Sequence, residues 1–273
     1  MKKILLTLAV ALTALFVSNA EEVTKTKEFG DITRIDIAYL YEVHITEGTS
    51  GQVRFVYDSA YENHLKIRYD KNNSELNLEL QDLPKKFKLS SEPKILVYLE
   101  MDQIDKLSLS GACKAVFDGS FTTKDIHIDM SGAAQLSGLD IKGSSMKFCA
   151  SGACKAGFSG DFRDEAEVEL SGAARCDLNI YADNFEGELS GAAKIELDGK
   201  VKDLSIEGSG ACSIDAEDFV TTHTVIELSG ASKAKIYAEK TLTYNVSRAS
   251  KLIHYGDAKL IDKTEASNVV RGI

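Results

Sequence analysis

A five-residue phrase recurs along the second half of this 273-residue chain: serine, glycine, alanine, a small residue and, most often, a basic residue. Successive copies are 17 to 21 residues apart, counted from glycine position to glycine position. A near-constant period of this length is typical of a solenoid, in which each repeat stacks on its neighbours. The copies begin at Ser110, Ser131, Ser151, Ser171, Ser190, Ser209 and Ser229, and two degenerate copies begin at Ser247 and Thr264.

The residues around each glycine alternate between apolar and polar types. With the glycine numbered zero, positions −4, −2, +4 and +6 are mostly apolar, −3 is mostly acidic, +3 is mostly basic and +2 is small. This period-two alternation predicts strands. A leucine-rich horseshoe would need helical periodicity, and a propeller blade would need about twice the length. The pattern therefore predicts an all-β fold, a single-stranded parallel β-helix whose rungs stack about 4.8 Å apart.

The corner formed by the phrase carries two structural expectations. Glycine can supply a positive φ, but Arg248 and Glu265 occupy its position in the last two copies. We therefore expect that the left-handed conformation is not required in every rung. The serine at −1 is expected to form a hydroxyl ladder that closes the backbone bonds of the corner. None of these serines is predicted to be a nucleophile, because no histidine occupies a repeat position that would bring it beside a serine together with an acidic residue to orient it.

Two charged columns follow from the repeat, where a column is the set of residues at one position in successive rungs. Like charges one rung apart repel, so the acidic column is either a solvated face or a face that holds divalent cations or meets a cationic partner. The candidate face for a cation or a partner is Glu169, Glu188, Glu207 and Glu227. The −3 column contains Asp129, Glu169, Glu188, Glu207, Glu227 and Asp262, and the +3 column contains Lys114, Lys155, Arg175, Lys194, Lys233 and Lys251.

The first twenty residues predict export. Lys2 and Lys3, the apolar run 4–17 and Ser18-Asn19-Ala20 match the three parts of a signal peptide. The apolar run is short for a membrane span. The sequence therefore predicts a periplasmic or extracellular protein. The formal net charge of −10 becomes −12 without the two lysines, which argues against nucleic acid and anionic membrane as partners.

The five cysteines are an odd number for an exported chain. Their positions in the repeat place them too far apart for disulfides, and their spacing fits no zinc site. We predict that Cys113, Cys154, Cys176 and Cys212 are small core residues, whereas Cys149, at position −3, faces outward.

Residues 21–103 lack the phrase but contain short alternating segments that predict strands. They are expected to form an N-terminal cap or a set of irregular first rungs, with a loop at Lys85–Lys88 between Pro84 and Pro93. The predicted organisation is a signal peptide at 1–20 and one domain at 21–273, regular from residue 104.

Several segments together resemble the family described as the putative auto-transporter adhesin head, or GIN, domain, a domain of unknown function. That family occurs in exported proteins of Bacteroidetes, and the resemblance implies a right-handed β-helix and an adhesin-like role. The segments that carry it are Ile32–Ile37, Tyr41–Gly48, Ile95–Leu99, Leu107–Gly111, Ser250–Leu252 and Tyr255–Ala258.

Two functional classes fit these features. The first is a non-catalytic envelope protein whose flat faces bind glycan or protein. The second is a polysaccharide-active enzyme of the pectate-lyase kind, since such enzymes share the parallel β-helix. The repeats after Leu107 leave no room for the long loops that build such sites, and the filled +4 and +6 columns argue against a ligand cavity. We predict the binding protein, with no catalytic residues, no metal site and no cofactor, and with a purely structural or envelope-stress role as a further alternative. The oligomeric state stays open.

Overall fold

The computed structural model describes residues 21–83, 95–263 and 269–272. Within these residues the strands join into one continuous sheet that winds into a β-solenoid. The all-β, parallel solenoid predicted from the repeat is confirmed. The predicted signal peptide, the predicted loop between Pro84 and Pro93 and the copy that begins at Thr264 lie outside the described residues.

In the regular part, each strand leaves one corner at position +3 and runs in parallel register with the strand above it to position −2 of the next copy. The long strands continue around the other bends, where register shifts mark local irregularities. These strands are β8 (Lys106–Gly111), β9 (Lys114–Asp118), β10 (Ser120–Thr122), β11 (Asp125–Met130), β12 (Gln135–Ala150), β13 (Lys155–Leu170), β14 (Arg175–Leu189), β15 (Lys194–Gly208), β16 (Ser213–Leu228), β17 (Lys233–Val246), β18 (Lys251–Tyr255), β19 (Lys259–Asp262) and β20 (Val269–Arg271).

The N-terminal segment extends the solenoid by a rung that the phrase does not mark. Strand β2 pairs in parallel with β8, and β3 pairs in parallel with β9. Antiparallel pairs close this end, β1 with β4, β4 with β7 and β5 with β6. The strands are β1 (Glu22–Glu28), β2 (Arg34–Tyr39), β3 (Tyr41–Glu47), β4 (Gln52–Asp58), β5 (Leu65–Asp70), β6 (Glu75–Leu80) and β7 (Ile95–Met101), with a short 3-10 helix at Ser59–Tyr61.

The corners lie in one column along the solenoid. In each step from the rung of Gly111 to that of Arg248, the amide of the alanine at +1 donates to the carbonyl oxygen of position zero in the rung before, over 2.6–3.0 Å. The glycines at position zero have φ angles of 71–88°. A Cβ on Gly191 would lie 2.8 Å from the carbonyl oxygen of Gly172, so stacking as well as backbone conformation favours glycine here.

In the rungs that the structure describes, the expectation that some corners dispense with the left-handed conformation is wrong; Glu265 lies outside these residues. Arg248 has a φ of 61°, and Tyr39, which lies beside Gly111, has a φ of 71°. Both residues occupy position zero of their rungs. The hydrogen bonds of the column therefore hold the left-handed conformation even where glycine is missing, at a local cost in free energy.

The core is filled by the inward positions of every rung, as the alternation predicts. Leu178 and Ile195 are buried, and T-shaped aromatic pairs bridge Phe148 to Phe158 and Phe185 to Phe219. All five cysteines are free. The predicted core cysteines are confirmed as buried, whereas the outward-facing one is only half-buried; the four buried ones are Cys113, Cys154, Cys176 and Cys212.

Candidate functional site

A groove runs along the outer side of the corner column, where positions −3 and −1 face outward. It passes eight rung steps, from Asp36 to Asn245, and has a volume of about 710 Å³. Its eight steps of about 4.8 Å make the groove roughly 40 Å long. The groove is therefore long and open to solvent, and a thin chain or a row of side-chain ends can enter it. The sequence predicted flat faces, and this face is instead concave.

The four predicted glutamates lie in the groove on consecutive rungs. Glu169 is paired with Glu188, Glu188 with Glu207, and Glu207 with Glu227. This part of the predicted column is confirmed in its register. Further groove residues at −3 extend the line at both ends, and they are Asp36, Ser108, Asp129, Cys149 and Asn245.

Asp262 does not belong to the acidic column. It pairs with Tyr244, which stands at position −4 of its rung. The sequence analysis assigned Asp262 to position −3 by counting back three residues from Glu265. Because the interval between rungs changes at this end, that assignment is one residue out of register. Asn245 is the residue that continues the column after Glu227.

The glutamates differ in how far their charges are balanced. Lys147, which is half-exposed, contacts the carboxylates of Glu167 and Glu169 at 2.6 and 2.7 Å. Its ammonium group holds the pKa of Glu169 below the usual value. Among the described residues, no ion pair involves Glu188, Glu207 or Glu227. These exposed carboxylates therefore leave a net negative stretch in the groove.

Asp36 and Cys149 are the more desolvated acidic groups of the groove. Burial raises the pKa of the Asp36 carboxyl, and the nearby Lys106 offsets part of the effect. Burial, reinforced by the charge of Glu169, raises the pKa of the Cys149 thiol to about 11. The Cys149 side chain is accordingly a weak nucleophile at neutral pH.

The serine hydroxyls at −1 do not close the corner as expected. Backbone groups make those bonds, for example from the Ser190 amide to the Leu170 carbonyl and from the Lys194 amide to the Ala174 carbonyl, both at 2.9 Å. In the described part of the chain, Ser247 is the member of this column whose Oγ donates to a rung carbonyl, that of Leu228. The hydroxyls from Ser110 to Ser229 instead line the groove beside the acidic column.

The basic +3 column lies on the other side of the ridge made by Gly and Ala at positions 0 and +1. Lys114 pairs with Glu42 at 3.1 Å, and Lys194 pairs with Glu196. Four further members are exposed and make no ion pair within the described ranges; they are Lys155, Arg175, Lys233 and Lys251. The corner thus separates two columns of opposite charge that share the same rungs.

No group of three or more His, Cys, Asp or Glu side chains within residues 21–83, 95–263 and 269–272 is arranged to hold a metal ion. The glutamate column presents one carboxylate per rung. Its carboxylates therefore form a line and do not surround a single point, as the ligands of a calcium ion do.

The family model for "Putative auto-transporter adhesin, head GIN domain" matches residues 31–164 and 161–258. The chain belongs to this family. The two matches run from the rung of Asp36 to the end of β18, including the part that lacks the repeated phrase. The resemblance inferred from the sequence is thereby confirmed, and the GIN family description makes this an adhesin-like protein.

Solved structures of low sequence identity share the GIN-domain fold. A putative adhesin from Parabacteroides distasonis has a TM-score of 0.71 at 14% identity, and one from Parabacteroides merdae has a TM-score of 0.65 at 15% identity. A putative lipid binding protein from Parabacteroides distasonis has a TM-score of 0.58 at 15% identity. Each match covers 93% of this chain and 98% of the other. No curated protein matches the sequence.

None of the helices among the described residues is long and apolar enough to cross a membrane. The groove residues that the sequence alone did not identify include Asp36, Ser108, Asn245 and the serine column. The serines carried a signal, since they alternate with buried −2 residues and so had to face outward. No sequence signal marked Asp36, because position zero of its rung is Tyr39 and not the glycine of the repeated phrase.

Proposed function

We propose that this GIN-domain protein is an exported, non-catalytic binding protein that holds a glycan or a surface protein at the cell envelope. The groove along the corner column is the binding surface. The observation that carries the proposal is its continuity: one carboxylate or other polar group at −3 recurs in successive rungs from Asp36 to Asn245, and one hydroxyl at −1 recurs from Ser110 to Ser247. Residues 21–273 act as a single unit that presents this surface.

The lining favours a polar or cationic partner. Outward serine hydroxyls can donate and accept hydrogen bonds, and unpaired glutamates attract positive charge over the length of a screening distance. An acyl chain would leave these groups desolvated without partners. The polar groove therefore supports a glycan or a protein surface in preference to a lipid tail.

The experiment compares two pairs of charge-neutralising substitutions on the same two strands. Glu188→Gln with Glu207→Gln removes neighbouring charges from the groove. Asp177→Asn with Glu196→Gln removes neighbouring charges from β14 and β15 on another face. Binding of the purified full chain to glycan arrays and to immobilised envelope proteins is the readout.

We expect the groove pair to weaken binding at least about tenfold, equal to about 1.4 kcal/mol, and the matched pair to leave it within about twofold. If the two pairs weaken binding equally, or if neither pair changes binding, the groove is not the binding surface. Polysaccharide cleavage is measured in parallel on the wild type. Release of new chain ends would instead favour the enzyme alternative.

A further inference from the structure

The two charged columns complement each other, and both belong to the same chain. We infer that the groove's partner is a second copy of this protein, whose basic +3 column lies along the acidic groove. This inference rests on the proposed function and names its partner. The columns that would face each other contain Glu169, Glu188, Glu207 and Glu227 on one copy and, on the same rungs of the other, Arg175, Lys194 and Lys233.

The first argument is unsatisfied charge. Within the described residues, most members of these two columns make no ion pair in the isolated chain; they are Glu188, Glu207, Glu227, Arg175 and Lys233. Each member instead stacks on its own column; Glu188 stands between Glu207 and Glu169, and Arg175 stands between Lys155 and Lys194. Stacked like charges repel. Apposition of the columns from two copies replaces this repulsion with attraction on both sides.

The second argument is spacing. Positions −3 and +3 repeat with the same hydrogen-bonded rungs, so the two columns have the same period of about 4.8 Å. A second copy is therefore in step with the groove along its whole length. An extended peptide rises about 3.3 Å per residue, and its side chains would fall out of step with the carboxylates within a few rungs.

The third argument is shape. The open groove admits the ends of lysine and arginine side chains, whose long stems reach past a surface. The ridge between the columns consists of glycine and alanine, as at Gly191 and Ala192, which are both exposed. Because this ridge carries no side chain beyond Cβ, it lets two solenoids approach closely.

The fourth argument is symmetry. Since each copy carries both columns, a two-fold axis places the acidic groove of each copy against the basic column of the other. Such an interface is isologous and closes as a dimer. Adhesion of this kind would be homotypic, between copies of the same protein.

A charge-swap experiment tests the inference on the full mature chain. Because the two-fold axis sets each rung against the same rung of the other copy, one variant carries Glu188→Lys and Glu227→Lys, and the other carries Lys194→Glu and Lys233→Glu. The molecular mass in solution is measured by light scattering and sedimentation for the wild type, for each variant and for their equimolar mixture. Thermal melting of each variant shows whether the fold is retained.

We expect a concentration-dependent dimer for the wild type, a monomer for each variant and a heterodimer for the mixture, in which both interfaces again pair opposite charges. A control pair on β14 and β15 that lies outside both columns, Asp183→Lys with Asp203→Lys, should dimerise like the wild type. A wild type that stays monomeric up to high micromolar concentration, or a mixture that stays monomeric while the wild type dimerises, would overturn the inference. Should the variants misfold, the milder Glu188→Gln with Glu207→Gln must still weaken the dimer at least about tenfold.

The two proposals fail differently. If the wild type is monomeric but the glutamine pair abolishes binding to arrayed glycan or to another envelope protein, the groove remains the binding surface and its partner is a different molecule. If the groove substitutions change neither dimerisation nor binding, both proposals are wrong.

Discussion

Arg248 stacks on Gly230 in the corner column and adopts the same left-handed backbone conformation, with φ angles of 61° and 80°. The amide of Ala249 donates to the carbonyl oxygen of Gly230 at 3.0 Å, which continues the hydrogen bonds of the column through the arginine. The stack therefore imposes the conformation, and glycine is the residue that adopts it at least cost.

Substitution of a corner glycine should be far more damaging than substitution of a strand glycine. In Gly191→Ala, the new Cβ would lie 2.8 Å from the Gly172 carbonyl oxygen, at a φ of 74°. We expect a loss of about 2 kcal/mol or more of unfolding free energy, from strain and from the displaced rung. In Gly157→Ala the nearest atom would be 4.0 Å away, and the change should be neutral or stabilising by up to about 1 kcal/mol. Chemical denaturation measures both; equal losses would contradict the account of the corner.

The serine column should matter for binding and not for stability. Ser190 Oγ is exposed in the groove, and the corner bonds of its rung are made by backbone groups. We expect Ser190→Ala to change the unfolding free energy by less than about 0.5 kcal/mol while weakening association through the groove. A large loss of stability without a change in association would restore the serine to a structural role.

Relief of like-charge stacking should stabilise the isolated chain. The Glu188→Gln and Glu207→Gln pair removes two of four successive carboxylates. We expect a higher melting temperature in low salt and a smaller dependence of that temperature on ionic strength, since exposed charges are screened within about 10 Å at 0.1 M salt. An unchanged salt dependence would mean that the column carries no repulsion.

A calcium titration distinguishes two hypotheses for the glutamate column, that it binds divalent cations and that it binds a partner molecule. A cation that binds the native column would raise the melting temperature. Because the described residues contain no convergent set of ligands, we expect millimolar calcium to have no effect. A rise in the wild type that the glutamine pair abolishes would support the cation hypothesis instead.

His254 should make the C-terminal rung sensitive to acid. It lies in the core column between Ile236 and Arg271 and is 6% exposed, and its Nδ1 has no hydrogen-bond partner among the described residues. Burial, with a smaller effect from the charge of Arg271, lowers its pKa below the usual value. The unfolded chain therefore binds this proton more tightly than the folded chain does. The contribution of neutral His254 to stability is fully present above about pH 6.5, and it is lost as the pH falls toward the lowered pKa of the folded state.

Thermal melting between about pH 8 and about pH 5 tests this dependence. His254→Leu should melt at a higher temperature than the wild type at the acid end and show a smaller fall across the range, since leucine fills the core without a titratable group. Parallel curves for the two proteins would show that His254 does not set the acid sensitivity.

The regular half of the fold followed from the sequence because period-two alternation and a fixed repeat determine both the inward face and the register. Glu169 and Glu227 were placed correctly for that reason. Asp262 was not, because the interval between rungs changes near the C-terminal end and a shift of one residue moves every side chain to the opposite face.

Other parts of the site left no trace in the repeat. Tyr39 shares no residue type with the glycines above it, so the rung that brings Asp36 into the groove is visible only from strand pairing. The concavity itself depends on the angle at which the chain turns at the corner. Alternation of apolar and polar residues determines which side chains point inward and which point outward, but it does not determine that angle. Flat faces were predicted for this reason.

Cys149 provides the most direct test that the groove is the partner surface, because it is a half-buried thiol within the groove of the unmodified protein. The other cysteines are buried in the core. The rate of Cys149 modification by a small neutral thiol reagent is measured by mass spectrometry over a range of protein concentrations, alongside the molecular mass. We predict slow modification, as expected for a thiol with a pKa of about 11, and a rate that falls further as dimers form. A rate that stays constant while the protein dimerises would contradict the account, because the partner would then lie elsewhere.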